Sequence, residues 1–112
     1  YQGQAVSKVF PSLSGFTDIK FSSIDSVSSE NCDIVFLALP HAISMQKVSL
    51  FLTENTRVID LSADFRLKDP AVFKDWYSTQ HQQPSLLKGA VYGLPEIHRE
   101  AIKSARLIAN PG

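Results

Sequence analysis

One cysteine, Cys32, is all the chain has, so it can close no internal disulfide, which fits a reducing, cytoplasmic setting. Net charge is missing too. Eleven lysines and arginines balance eleven aspartates and glutamates, so no overall field draws the chain to nucleic acid or to an anionic membrane surface. A small molecule or another protein is the partner this balance leaves. Long apolar runs are absent: the longest, residues 34–39, falls far short of the roughly 18 to 20 residues that span a bilayer. His41, His81 and His98 share no ligand spacing and stand beside no paired cysteines, so no metal is expected. No Gly-x-Gly-x-x-Gly and no other glycine-rich phosphate loop is present, so nucleotide binding does not follow from a motif. The opening Tyr1-Gln2-Gly3-Gln4 carries no initiator Met, basic stretch or apolar stretch. No signal peptide is visible there, and the chain reads as cut at its front.

What the chain does have is apolar material, 44% of 112 residues, enough for the core of one domain at most. Residues 1–15 mix Gly3, Pro11 and Gly15 with the apolar pair Val9-Phe10 and read as a loop or a single poorly ordered turn. Residues 17–22 alternate polar and apolar, the period of a strand buried on one face, suited to a sheet edge. Residues 33–39 form a continuous apolar run, β-branched at its start and ended by Pro40, as expected of a strand covered on both faces. Residues 42–52 then place Ile43, Leu50 and Phe51 at near-helical spacing, with Ser44 suited to satisfying free amides in the first turn. Residues 57–61 make the next apolar strand. The stretch 62–92, interrupted by Pro70, Pro84 and Gly89, reads as a long excursion with one short helix at 72–77. Residues 95–104 predict a helix with Pro95 in its first turn, and residues 105–109 a last buried strand. Strands alternating with helices in this order favour an α/β fold with a right-handed, doubly wound parallel sheet. No repeat, low-complexity tract or interdomain linker interrupts the chain.

In an open parallel sheet, ligands bind beyond the carboxyl ends of the strands, so the residues after each strand carry the chemistry. Here they are Leu39-Pro40-His41, then Ser62-Ala63-Asp64-Phe65-Arg66, then Asn110-Pro111-Gly112, and all three are expected to converge on one edge. His41 precedes a helix whose free N–H groups favour an anion, although a histidine that merely caps a helix has the same spacing. Arg66 is a permanent cation whose planar fork suits phosphate or carboxylate, and it is equally suited to neutralising Asp60 or Asp64 in a structural network. Those two carboxylates lie on one short strand and its turn and need not face a common substrate, so a paired-carboxylate hydrolase is not favoured. Cys32 falls at the start of a strand, at the far end of the sheet from the site, where a free cysteine is normally a small buried hydrophobe.

The same strand ends carry a family likeness. Phe36-Leu37-Ala38-Leu39-Pro40-His41, then Val58 through Arg66, then Tyr92-Gly93-Leu94-Pro95-Glu96, then Ala109-Asn110-Pro111-Gly112 resemble, in order and spacing, the N-acetyl-gamma-glutamyl-phosphate reductases. These form a branch of the semialdehyde dehydrogenase superfamily. The opening Gly3-Gln4, with Phe10-Pro11-Ser12-Leu13 and Gly15, is similar to the segment after that family's second strand, so the resemblance spans nearly the whole chain.

The resemblance implies an NADPH-dependent reductase of arginine biosynthesis. In that chemistry a cysteine thiolate displaces phosphate from an acyl phosphate, and hydride reduces the thioester to a semialdehyde. Residues 1–112 would then be an incomplete NADP-binding, Rossmann-like domain. It would lack the first strand–helix unit, with that family's Gly-x-x-Gly-Tyr-x-Gly loop, and the substrate domain. The resemblance places no catalytic residue in this chain. It expects the nucleophilic cysteine directly after Gly112, an acid/base histidine later still, and no reductase activity from these residues alone. It assigns Arg66, within Asp60-x-Ser62-x-x-Phe65-Arg66, and Asn110 to the substrate phosphate, and Leu39, Pro40, His41 and Ser44 to the cofactor. Ala42 stands where a glycine is common, restricting close backbone approach. The implied partners are a small acyl phosphate and further copies in a homo-oligomer, with no nucleic acid or membrane. Two alternatives stay open: the carrier-linked aminoadipyl phosphate reductase of lysine biosynthesis, and a non-catalytic interaction module.

Overall fold

The computed structural model describes residues 1–112. Four short strands, β1 (Ile34–Leu37), β2 (Arg57–Asp60), β3 (Val91–Tyr92) and β4 (Leu107–Ala109), form one sheet in the order β1-β2-β4-β3. Every neighbouring pair is parallel, as the strand–helix alternation requires. The helices are α1 (Val6–Val9), α2 (Ser44–Lys47), α3 (Pro70–Tyr77), α4 (Pro84–Gly89) and α5 (Pro95–Ser104). The fold is therefore α/β and Rossmann-like. No helix is long and apolar enough to cross a membrane.

The core lies where β2 and β4, flanked by strands on both sides, meet the helices. Val58, Leu107 and Ala109 from these strands are buried with Met45, Val48 and Phe51 from the segment after β1. Residues 42–52 do not make one regular helix. Only Ser44–Lys47 is α-helical, and Val48–Leu50 tightens into a 3-10 turn. In a 3-10 turn, residues three apart lie on one side, and Val48 and Phe51 both turn to the core. Proline opens three of the helices without breaking them, because its missing N–H is one of the amides left unpaired in a first turn anyway. At α3 the Asp69 carboxylate adds a cap, accepting from the Ala71 N–H at 2.7 Å.

Besides the broken helix at residues 42–52, three expectations need correction. The strand at residues 33–39 was expected to be covered on both faces, yet Ile34 and Phe36 are 49% and 63% exposed while Leu37 is buried. Nothing in the chain packs over that face, and β1 ends the strand order with its outer edge unpaired. Residues 17–22 form no strand. Their backbone pairs with residues 3–6 instead, through an isolated antiparallel bridge between Ala5 and Lys20, and Ile19 stays exposed. The excursion 62–92 holds more than one short helix: α3 starts at Pro70, α4 follows, and β3 closes it against β4.

Candidate functional site

Strand register puts the carboxyl ends in line. Leu37 pairs with Asp60, Asp60 with Ala109, and Tyr92 with Ala109, so the segments that begin at Ala38, Leu61, Gly93 and Asn110 leave the sheet at one edge. Cys32 sits at the other edge. Its carbonyl accepts from the Thr56 hydroxyl at 2.8 Å just before β1 and β2 begin, remote from any chemistry at the carboxyl ends. The cavity of about 510 Å³ also opens there, lined by Leu86, Val91, Ala105 and Leu107, and so is separate from the candidate site.

The two buried acids hold the loop after β1. Asp60 accepts from the Ser44 hydroxyl at 2.5 Å on one oxygen and from the Ser62 hydroxyl at 2.7 Å on the other, and the Ser62 N–H also reaches it. Asp64 accepts from the Ala42 N–H and the Met45 N–H, each at 2.8 Å, one per carboxylate oxygen. Both acids are fully buried, and neither has a Lys or Arg partner, since the chain's ion pairs are Lys47–Asp25 and Lys103–Glu100. Amides at the start of α2, expected to be free for an anion, are thus taken by the protein's own carboxylate. Ser44 is likewise buried on Asp60, so it anchors the loop from beneath, while Pro40 and His41 are exposed and Leu39 is half-buried.

Arg66 joins a different pair of segments. Its Nε donates to the Asn110 carbonyl at 2.8 Å and its Nη2 to the Leu61 carbonyl at 3.1 Å, tying the turn after β2 to the segment after β4. Nη1 lies over Gly112, where a Cβ would come within 2.6 Å of it. The guanidinium meets no carboxylate, so the structural network with Asp60 or Asp64 that its sequence position permits does not form. A half-buried cation with N–H groups to spare remains at the edge. Asn110 offers its backbone carbonyl to Arg66 and turns its own amide to the Pro111 carbonyl at 2.8 Å.

Aromatic rings link this edge to the core. The exposed His41 ring lies 5.8 Å from Tyr77, Tyr77 lies 4.8 Å from Phe73, and Phe73 meets the buried His81 edge-on at 4.9 Å. His81 donates from Nε2 to the Asp64 carbonyl at 2.8 Å and accepts the Gln83 N–H on Nδ1 at 3.0 Å, which sets it as the neutral Nε2–H tautomer. Burial pushes the imidazole below its ordinary 6.5, against the smaller raising effects of its bond to Asp64 and of the Asp64 charge. The unfolded chain therefore binds the extra proton first. Stability is full above the unfolded value of 6.5 and is lost as pH falls from there toward the folded value. The melting temperature is expected to drop between about pH 7 and 5, with a smaller drop for His81→Gln. Equal slopes for the two proteins would show that His81 does not titrate this way.

A family model described as semialdehyde dehydrogenase, NAD binding domain, matches residues 1–105. The chain belongs to this family. The description fits a parallel sheet whose ligand edge is built from loops, and it makes the semialdehyde dehydrogenase domain a binder of a nicotinamide cofactor. Among curated relatives, the N-acetyl-gamma-glutamyl-phosphate reductase of Nitrosococcus oceani is 55% identical over 98% of this chain and 32% of its own length. The protein of the same name from Nitrosospira multiformis is 52% identical over the same shares. A LysW-L-2-aminoadipate/LysW-L-glutamate phosphate reductase of Sulfurisphaera tokodaii is 51% identical over 100% of the chain and 32% of its own length. The chain thus spans about a third of the length of the curated relatives it matches. Asp60, Asp64 and His81 are the residues that sequence reasoning passed over as site builders. The signal available for the two acids was a pair of acceptor-only side chains, each two residues ahead of a site residue, Asp60 before Ser62 and Asp64 before Arg66.

Proposed function

We propose that these residues form the cofactor-side domain of a reductase that uses NADPH to convert N-acetyl-γ-glutamyl phosphate to N-acetylglutamate semialdehyde in the cytoplasm. The observation that carries this reading is Arg66, a guanidinium with no carboxylate partner, set on the same sheet edge as the exposed Pro40-His41 loop. Support comes from the extent of likeness to the N. oceani reductase. The residues present fit the cofactor in part. Leu39 and Pro40 supply an apolar rim, and the exposed His41 ring has no hydrogen-bond partner within the chain. When bound, the cofactor supplies hydride to the acyl carbon.

This chain's own residues would then orient and bind. Arg66 uses one N–H group on the segment after β4 and one on the turn after β2, and would direct the remaining ones at the phosphate, favouring its departure as negative charge develops. Asn110 presents its backbone to Arg66 and so fixes the direction of that segment. The nucleophile is a cysteine outside these residues, since Cys32 lies at the far edge. The test is an assay of the longest protein the gene encodes, following NADPH or NADH oxidation with N-acetyl-γ-glutamyl phosphate. Turnover is expected with that acyl phosphate and NADPH. Turnover only with a carrier-linked aminoadipyl phosphate, the chemistry named for the S. tokodaii relative, would shift the assignment, and turnover with neither would reject it.

A further inference from the structure

We infer that Asp64 is a positioning residue for the nicotinamide cofactor, holding Ala42 in a left-handed backbone conformation so that Pro40 and His41 face the ligand. Ala42 has φ of 66°, one of two non-glycine residues in that region, and it lies inside the exposed loop between β1 and α2. Alanine does not choose this conformation by itself, because its Cβ crowds the following carbonyl. A left-handed alanine persists only where its surroundings over-determine it. Here they do. One Asp64 oxygen accepts from the Ala42 N–H and the other from the Met45 N–H, so a single carboxylate spans the turn and fixes both of its ends. Asp64 is itself fixed: its N–H donates to the Ser62 hydroxyl at 3.1 Å, and its carbonyl receives the His81 Nε2–H. Asp60 holds Ser44 beside it, completing a rigid seat under the loop.

The inference rests on the proposed reading that Leu39, Pro40 and His41 meet the cofactor. If they do, the fraction of molecules with the loop in its seated form multiplies the intrinsic affinity, and loss of the clamp weakens binding by that fraction. Asp64→Asn keeps the shape but turns one acceptor into a donor facing an N–H, so the loop should leave its seat in most molecules. The dissociation constant for NADPH is then expected to rise about tenfold or more. Adding Ala42→Gly in the same chain removes the bias against the left-handed form, and about threefold or more of that loss should return.

The measurement is NADPH titration by fluorescence in the longest protein the gene encodes, beside the melting temperature and amide exchange of residues 38–45. If NADPH fails to protect these amides in the unaltered protein, the cofactor reading fails and the inference with it. Protection combined with an unchanged dissociation constant for Asp64→Asn leaves the cofactor reading standing and overturns the positioning role. A melting temperature that falls without rescue of binding by Ala42→Gly marks Asp64 as merely structural and also overturns it. Should Asp64→Asn not fold, Ala42→Val decides. With Asp64 intact, a β-branched residue resists the left-handed form and should weaken NADPH about fivefold, and unchanged binding rejects the inference.

Discussion

On the proposed function, Arg66→Lys in the longest protein the gene encodes is expected to lower kcat/KM for the acyl phosphate by on the order of a hundredfold while the fold persists. The guanidinium does several things at once. It donates from Nε to the Asn110 carbonyl and from Nη2 to the Leu61 carbonyl, and it still has N–H groups over Gly112. Lysine keeps the charge but offers a single nitrogen at the end of a flexible stem, which cannot brace two backbone segments and point at an anion together. Removing a preorganised contact to a departing phosphate costs about 2 to 4 kcal/mol of transition-state stabilisation, which is the rate loss given above. The two carbonyl contacts have a stability consequence as well, because hydrogen bonds from a charged donor contribute about 1.5 to 3 kcal/mol. Kinetics and melting temperature must therefore be measured on the same preparation. A lowered melting temperature with kcat/KM left near normal would show that Arg66 serves the backbone alone.

Phe73→Ala is expected to remove about 3 to 5 kcal/mol of stability. Phe73 is fully buried on α3, edge-on to His81 at 4.9 Å and tilted on Tyr77 at 4.8 Å. Truncation leaves a void between α3 and the loop that carries His81, and that loop reaches Asp64 through the His81 hydrogen bond. Phe73→Leu fills most of the space and should lose less than half as much. Denaturant titration of the full-length protein measures both. A domain of this size is held by about 5 to 15 kcal/mol in all, so the alanine variant should also unfold at visibly lower denaturant. A loss below about 1 kcal/mol would mean the site collapses around the gap and that Phe73 does not hold α3 in place.

Local pattern was enough for the elements whose signal is short-range. The β-branched apolar runs marked β1, β2 and β4, Pro95 marked the start of α5, and the strand–helix alternation implied parallel pairing, all of which the sheet bears out. Convergence of the residues after each strand followed from that pairing alone. The two-residue β3 has no period to detect, and the alternation at residues 17–22 gave a strand period to a segment whose partner is a loop. Coverage of β1 was misjudged because a continuous apolar run says what a strand tolerates, and Phe36 remains exposed for want of anything packed over it.

The roles of the polar residues were decided only by tertiary structure. Asp64 meets Ala42 across 22 positions of sequence, Asp60 meets Ser44 across 16, and Arg66 meets Asn110 across 44. Residue types and spacing identified Arg66 as a cation free to take either a carboxylate or an anion, and folding gave it two backbone carbonyls and no acid. A carboxylate accepts from whichever N–H the fold brings within about 3 Å, so its partner depends on where other strands end and not on its neighbours in sequence. By itself the sequence determined β1, β2, β4 and α5, and hence which edge collects the loops, because those choices depend on periodicity within a few residues. Which acid clamps the loop after β1, and which groups Arg66 touches, depended on distances that exist only once the sheet has assembled.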